Sequence, residues 1–310
     1  MQKERILVIT QTYDIEVILY AFKSKKVIEK IKKMIENASG KNRIIIRLID
    51  QYQLDRSKNF NESLSQFKDL HKFFYHHVFW DYIQSPIQLQ EQRIKSSIAN
   101  YIMLIDDRVN LNKNWDSELI DFAKNKEIII SGKGTPHFEQ LNPFYVEHTR
   151  KESNKFELTQ YIVDNFIFAH RHTFFNGENN GYILPSYLKI AGFEEAFSLQ
   201  CFAKGIDIFS CPSNFYTQDL VNSFNDYDVY VPFSRIHNYN QIIKLFTSGT
   251  NDYIKIDNHA INSFIEFHNF NFKNLAPLTY EKNDVSYATQ DSVFDKMDGR
   301  RFLDGVKSIN

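Results

Sequence analysis

The stretch Tyr101-Ile-Met-Leu-Ile-Asp106-Asp107-Arg108 decides the fold that we expect for this chain. Its apolar run is typical of a strand buried inside a sheet, and the run ends abruptly on two acidic residues. In open α/β sheets, ligands bind at the carboxyl ends of the strands. Carboxylates at such an edge can hold a divalent cation, and the cation can hold a diphosphate. The stretch therefore predicts an α/β fold with a site for a diphosphate ligand such as a nucleotide sugar.

The composition is that of a globular protein with a large core. The 310 residues are 43% hydrophobic, which is enough for one large α/β domain, alone or with an appendage. The 37 basic and 38 acidic residues leave a formal charge of −1, whereas nucleic-acid-binding proteins usually carry a basic excess. We therefore expect no nucleic-acid partner. Cys201 and Cys211 form neither a disulfide framework nor a zinc signature, so we expect buried, reduced thiols.

The N-terminal residues predict neither a secretion signal nor a membrane span. The apolar run Ile6-Leu-Val-Ile9 is far too short for either, and no later run reaches the required length. This pattern favours a soluble, cytoplasmic protein.

Strand-like and helix-like segments alternate along the first two thirds of the chain. A strand, a helix and a second strand in that order predict a right-handed crossover and a parallel sheet. The predicted strands are 6–9, 43–50, the Tyr101 stretch, 127–131, 161–169 and 206–211. The predicted helices are 14–37, 61–82, 86–100, 115–124 and 194–204, the last of them ended by Gly205. Residues 132–154, rich in Gly, Pro, His and Asn, are predicted to form a loop.

These segments predict two domains. Residues 1–220 would form a mixed, mostly parallel sheet flanked by helices, and residues 221–310 a mainly helical or irregular C-terminal extension packed on it. The extension could cap an acceptor groove or mediate formation of a homo-oligomer.

Two further clusters are candidates for chemistry. Glu194 and Glu195 open a predicted helix, where the helix dipole alone is a sufficient reason for acidic residues. The functional alternative is a carboxylate that contacts a transferring sugar or an incoming hydroxyl. His170 and His172 follow an apolar strand, and alternation would place both on one face. That spacing suits metal ligation or contacts to phosphate and sugar, although histidines at a surface turn are the more common explanation of such a pair.

These pieces resemble the sequence blocks of known glycosyltransferases. The block from Ile105 to Asp116 resembles the Ile-Asp-Ser-His…Asn-Trp-Asp block of cytoplasmic enzymes that add N-acetylglucosamine to hydroxyproline on a ubiquitin-ligase subunit. A looser resemblance extends to the polypeptide N-acetylgalactosaminyltransferases. The likeness covers about residues 4–220, and its later blocks are Phe166–Ala169, Pro185–Tyr187, Gly192–Glu195 and Gly205–Pro212.

The resemblance implies a GT-A (Rossmann-like) fold and a retaining hexosyltransferase. Such an enzyme uses Mn²⁺ or Mg²⁺ and moves N-acetylglucosamine or a related hexose from a UDP-sugar to a hydroxyl on a protein or glycan. Two departures concern the metal: Arg108 stands where the family has a histidine ligand, and no histidine closely follows Pro212. Either Asp106, Asp107 and Asp219 hold the cation, or Arg108 itself supplies the positive charge that the leaving diphosphate requires.

The remaining residues receive hypothetical roles from this scheme. Glu195 is the first candidate for contact with the donor sugar or the acceptor, and Glu194 is the second. The predicted donor-binding residues are Thr10, Thr12 and Tyr13 for uridine, Asp50 for uracil, Arg93 and Lys95 for the diphosphate, and Asp106, Arg108, His170 and His172.

Two other functions fit the same residues. A protein that keeps the fold as a binding or scaffold module, without turnover, would explain the missing histidines. A nucleotidyltransferase would also present acids at a strand end, but it would need a glycine-rich phosphate loop, and residues 10–15 contain no glycine.

Overall fold

The computed structural model describes residues 13–22, 24–52, 54–67, 71–79, 86–133, 135–142, 145–151, 153–162, 166–175, 184–185, 193–219, 232–268, 278–280 and 306–308. The helices are α1 (Val27–Asn37), α2 (Ser57–Ser63), α3 (Pro86–Lys95), α4 (Trp115–Ala123), α5 (Phe193–Ala203), α6 (Pro232–Ser248) and α7 (Asn258–His268). Two short 3₁₀ helices cover Ser65–Phe67 and Arg171–Phe175.

The strands account for most of the remaining described residues. They are β1 (Tyr13–Phe22), β2 (Ile44–Tyr52), β3 (Lys72–Phe79), β4 (Ala99–Asp106), β5 (Val109–Leu111), β6 (Ile128–Lys133), β7 (Thr135–Asn142), β8 (Tyr145–Lys151), β9 (Glu157–Leu158), β10 (Phe166–His170), β11 (Asp207–Cys211), β12 (Tyr216–Gln218), β13 (Leu278–Tyr280) and β14 (Val306–Ser308).

Among the described residues, the central sheet has eight strands in the order β3-β2-β1-β4-β10-β6-β11-β9. The first four strands are parallel to one another, and β6 is parallel to β11. Strand β10 is antiparallel to both of its neighbours, and β9 is antiparallel to β11. The prediction of a mixed, mostly parallel sheet flanked by helices is confirmed.

The sheet is covered on both faces, which is why its central strands are apolar on both sides. Odd-numbered residues of β1 and β4, such as Val17 and Met103, pack with α1 and α4 in one buried cluster. Even-numbered residues of the same strands, such as Ile18 and Leu104, pack with α3 and α5 in another. We call these the α1 face and the α5 face of the sheet.

The first strand is the main correction to the predicted elements. Residues 14–37 were expected to form one helix, but 14–22 belong to β1 and only Val27–Asn37 is helical. The run Ile15-Glu-Val-Ile-Leu19 is rich in β-branched residues, and Ile15, Val17 and Ile18 are fully buried. Burial on both faces of a sheet suits these residues better than one helix surface. The earlier strand predicted at 6–9 lies outside the described residues.

Two other segments differ from the prediction. Part of the expected helix 61–82 is the edge strand β3, whose Phe73 and Tyr75 pack against the α1 face. Part of the expected loop 132–154 is the antiparallel pair β7–β8. Both segments form strands because they pair with a neighbouring strand, and local composition did not indicate that pairing.

The helices beyond residue 231 pack on α5. Ile242, Leu245 and Phe264 of α6 and α7 form a third buried cluster with Tyr161 and Leu199. The extension is therefore in contact with the helix that begins at the predicted acidic pair. In the described part of the chain, no helix is long and apolar enough to cross a membrane.

Candidate active site at the carboxyl edge of the sheet

The acidic pair lies where the sequence predicted it, at the carboxyl end of β4. Asp106 is the last residue of β4 and lies opposite Tyr20 of β1. The backbone N–H of Asp107 donates to the carbonyl of Tyr20 at 3.1 Å and extends the pairing of the two strands. The loop from β1 to α1 therefore lies directly beside the acidic pair.

Arg108 forms an ion pair with Asp106. Its Nε and Nη2 atoms lie 2.6 and 2.5 Å from Oδ2 of Asp106, and its backbone N–H donates to Oδ1 at 2.9 Å. Burial raises the pKa of the Asp106 carboxyl group to about 6, although the neighbouring guanidinium opposes that shift. This carboxylate is thus already paired with a cation of the chain.

Asp107 faces the loop after β1. Burial raises its pKa, while a hydrogen bond from the Ser24 side chain and the positive charge of Lys30 oppose the rise. Ser24 precedes α1, and Lys30 lies in the first two turns of that helix. The β1–α1 connection and the end of β4 are therefore joined through this carboxylate.

Asp219 reaches the same edge from a distant part of the sequence. Strand β12 pairs with β5, and the N–H of Asp219 donates to the carbonyl of Arg108 at 2.9 Å. The carboxylate accepts from Asn110 at 2.8 Å and forms an ion pair with Nζ of Lys30, also at 2.8 Å. The lysine holds the pKa of Asp219 below its usual value.

These three carboxylates do not fit the metal site that the resemblance implied. In the described part of the chain, no group of three or more His, Cys, Asp or Glu side chains is arranged to hold a metal ion. Asp106 is bound by Arg108, and Asp219 is bound by Lys30, which also acts on Asp107. A divalent cation would have to displace these partners before it could use the oxygens.

The acids at the start of α5 lie at the same edge of the sheet. A short turn at Gly205, which has a φ of 69°, connects α5 to β11. Strand β11 runs parallel to β4 because two antiparallel pairings separate β6 from β4. Helix α5 therefore runs back along the sheet, and its N-terminus lies at the carboxyl edge, on the α5 face.

The two glutamates point to different sides of this helix. Glu194 lies on the helix side of Phe197 and Cys201, which pack against the sheet. Glu195 lies on the side of Leu199 and is buried beside Tyr161, whose hydroxyl group acts to lower its pKa. Burial raises the pKa of Glu195. Glu194 therefore lies on the sheet side of α5, whereas Glu195 faces the cluster around Leu199 and Tyr161.

Asp50, which was predicted to contact uracil, is bound by side chains of the protein itself. It is fully buried on the α1 face, where Arg56 binds both of its oxygens at 2.6 and 3.0 Å and Tyr75 donates to it at 2.9 Å. Arg56 also donates to the carbonyl of Ser24 at 2.7 Å. With both oxygens occupied, Asp50 holds Arg56 against the β1–α1 loop, and this arrangement does not present its carboxylate to a base.

Three predicted donor-binding residues lie at the opposite edge of the sheet. Tyr13 begins β1 opposite Ala99, and His170 pairs with Tyr101 at the start of β4. At about 3.3 Å per residue, these positions are roughly 17 to 23 Å from Asp106. His172 packs against His170, with ring centroids 5.1 Å apart. Tyr13, His170 and His172 are therefore remote from the acidic pair, and Thr10 and Thr12 lie outside the described residues.

Arg93 and Lys95 also lie away from the acidic pair. They end α3, which leads into the start of β4 and so toward the amino edge of the sheet. Lys95 pairs with Glu91 at 2.5 Å on the same helix, and burial lowers the pKa of Arg93 beside Arg47. Lys30, Ser24 and Tyr161 were not among the predicted site residues, because α1 was predicted to begin at residue 14 and long-range partners leave no local signal.

Comparisons by sequence give no match, whether to a protein-family model or to a curated protein. Two solved structures have similar folds at 13% identity. GalNAc-T7 with UDP, GalNAc and Mn²⁺ has a TM-score of 0.53, and the match covers 83% of this chain and 55% of that one. S. aureus TarS has a TM-score of 0.51, with coverages of 82% and 42%. The chain thus spans about half the length of these proteins.

The likeness establishes the fold. The chain has the mixed α/β architecture of the GT-A glycosyltransferases, as the resemblance implied. The narrower resemblance to the hydroxyproline-modifying enzymes rests on the sequence blocks alone. Because one fold hosts many activities, the function has to be argued from the site.

Proposed function

We propose that this protein is a glycosyltransferase that moves N-acetylglucosamine or a related hexose from a UDP-sugar to a hydroxyl on a protein or glycan. The observation that carries the proposal is the position of Asp106 and Asp107 at the carboxyl end of β4, beside the β1–α1 loop. In this fold class, that crevice is where ligands bind. The UDP and GalNAc named for GalNAc-T7 are consistent with such a donor.

The two sides of the proposed site bind different parts of the substrates. The diphosphate lies at the ends of β1 and β4, where Arg108 and Lys30 offset the charge that develops on the leaving group. Glu194, at the start of α5, contacts the sugar or accepts the proton of the incoming hydroxyl. We place the catalytic domain in residues 1–220 and an extension in residues 221–310, of which helices α6 and α7 pack on α5. Retention of configuration is proposed from the resemblance.

The test is release of UDP from a panel of UDP-sugars by the full chain. The expected result is release from at least one sugar nucleotide, and loss of that release in an Asp106→Ala/Asp107→Ala double variant. An Asp121→Ala variant, which changes an exposed carboxylate of α4, serves as the matched control and should keep full activity. Full turnover by the double variant would contradict the assignment of the site.

A second candidate function is a binding or scaffold module with this fold but without turnover. The ion pair of Arg108 with Asp106 favours this alternative. A carboxylate that is already occupied by a side chain of the same protein is not available for catalysis. This alternative predicts that UDP-sugars are bound intact. The test combines calorimetry with UDP and an assay for UDP release from sugar nucleotides in the presence of protein acceptors. Binding of UDP without any release of UDP would favour the scaffold over the enzyme.

A further inference from the structure

Lys30 links two of the three aspartates at the carboxyl edge. Its Nζ atom lies 2.8 Å from Asp219, and its charge acts on Asp107. Its side chain is only 12% exposed, so the ammonium group is held in place and is not free to move through solvent. Helix α1 thus delivers a fixed positive charge to the edge where the diphosphate of the proposed donor would lie.

In the described part of the chain, the aspartates at this edge already have cationic partners. Asp106 pairs with Arg108, and Asp219 pairs with Lys30, whose charge also acts on Asp107. The bond lengths are those of charge-assisted hydrogen bonds, which are about twice as strong as neutral ones. A divalent cation would therefore have to break the pairs of Arg108 and Lys30 to obtain oxygen ligands.

We infer that the donor diphosphate is bound without a metal ion and that Lys30, together with Arg108, supplies the positive charge. This inference rests on the proposed function and names the groups that perform one part of it. The aspartates then act as supports: Asp106 orients Arg108, and Asp219 orients Lys30. The resembling family has two histidine ligands for a metal ion that this chain lacks. A site that uses Arg108 and Lys30 in place of the metal ion has no need of them.

With or without a metal ion, the site has to stabilise the negative charge that develops on the leaving UDP. When the bond between C1 of the sugar and the β-phosphate oxygen breaks, the electron pair remains on that oxygen. The acceptor oxygen bonds to C1, and its proton passes to a carboxylate. Arg108 and Lys30 lie where the additional negative charge of UDP would develop, and preorganised cations stabilise such charge strongly.

The inference is tested by calorimetry on the full chain with UDP and with uridine, in EDTA and in Mn²⁺. UDP is expected to bind with nearly the same affinity in both buffers. A Lys30→Met variant should weaken UDP binding by roughly tenfold or more and leave uridine binding unchanged, because only the diphosphate contact is lost. Lys30→Arg should restore most of the affinity.

Lys33→Met is the matched control, because Lys33 is an exposed lysine on the same helix. It should bind UDP like the unaltered protein. The ratio of UDP to uridine affinity separates a lost phosphate contact from general damage, since an unfolded variant would lose both ligands. Thermal unfolding of each variant provides a second check of folding.

Two outcomes overturn the inference alone, and a third ends the proposed function on which it rests. UDP binding that requires Mn²⁺ would overturn it and leave the glycosyltransferase proposal standing. Equal UDP binding by the unaltered protein and Lys30→Met would remove Lys30 from the site. No binding of UDP and no turnover of any UDP-sugar in either buffer would instead end the proposed function itself.

Discussion

Asp106 is a partly buried carboxylate whose partner is only two residues away in the sequence. Arg108 returns along the turn after β4 and binds it through the guanidinium group and the backbone N–H. Burial raises the pKa of this carboxyl group to about 6, so the ion pair forms against a desolvation cost. Because its two residues are so close in the sequence, this ion pair fixes the guanidinium group of Arg108 at the end of β4. A leaving diphosphate needs positive charge at that position.

The two glutamates of α5 are separated by one peptide bond, yet we expect opposite consequences when each is changed. Glu194→Gln should lower turnover of the UDP-sugar by about 100-fold, because it removes a carboxylate on the sheet side. Glu195→Gln should retain most turnover, because a glutamine of nearly the same shape fills the buried position beside Tyr161 without burying a charge.

Steady-state kinetics and thermal unfolding of the two variants check this prediction. Glu195→Gln should unfold at the same temperature as the unaltered protein or higher. A large loss of kcat in Glu195→Gln, with normal kcat in Glu194→Gln, would restore the preference that the sequence alone suggested.

At the scale of elements, α4 is fixed by its first two residues. Trp115 donates from Nε1 to the carbonyl of Met34 at 2.9 Å, which ties α4 to α1. Asp116 is fully buried and accepts from Ser39 and Asn42, in the segment that follows α1. The Trp-Asp pair that contributed to the sequence resemblance therefore has a structural role in this chain.

Asp116→Ala should destabilise the protein by about 2 kcal/mol, because the donors of Ser39 and Asn42 lose a charged acceptor. Asp121→Ala, on the exposed side of the same helix, should change stability by less than about 0.5 kcal/mol. Urea unfolding of both variants measures the difference. Equal stabilities would mean that water replaces the Asp116 contacts at no cost.

At the scale of the whole molecule, the C-terminal helices complete the core around α5. Phe264 of α7 is fully buried, and His268 packs against its ring with centroids 4.5 Å apart. The same histidine contacts the carbonyl of Gln160 through Nε2 at 3.1 Å and lies beside the ring of Tyr161. Because Tyr161 also lies beside Glu195, helices α6 and α7 are packed against the start of α5.

His268 makes this packing sensitive to acid. Burial lowers its pKa to about 4, below the ordinary value of 6.5. The unfolded chain therefore binds a proton in a range where the folded protein does not. Stability is expected to fall as the pH decreases from 6.5 to 4, by up to about 3 kcal/mol from this residue alone.

The measurement compares urea unfolding of the unaltered protein with that of a His268→Gln variant between pH 7.5 and 4.5. The difference in unfolding free energy should shift in favour of the variant as the pH falls below 6.5, since glutamine does not titrate. The comparison cancels the opposite effect of Asp106, whose raised pKa favours the folded state in acid. A difference independent of pH would contradict the buried, neutral histidine.

The sequence predicted those features that depend on local pattern. The apolar run of β4 and its acidic end, the glycine that ends α5 and the alternation of strands and helices all follow from neighbouring residues. These were sufficient for the fold class and for placing Asp106 and Asp107 at the carboxyl edge. The same rules were wrong for residues 14–22 and for β3, because burial between two layers outweighed helical spacing.

By itself, then, the sequence determined the mixed α/β architecture and the strand end on which the proposed site is built. Only the tertiary structure decided which charges meet there. It brought Lys30 to Asp107 and Asp219, turned Glu195 into the core, and separated Tyr13 and His170 from Asp106 by the length of a strand. The physical reason is that backbone periodicity is local, whereas ion pairing and burial depend on segments far apart in the chain.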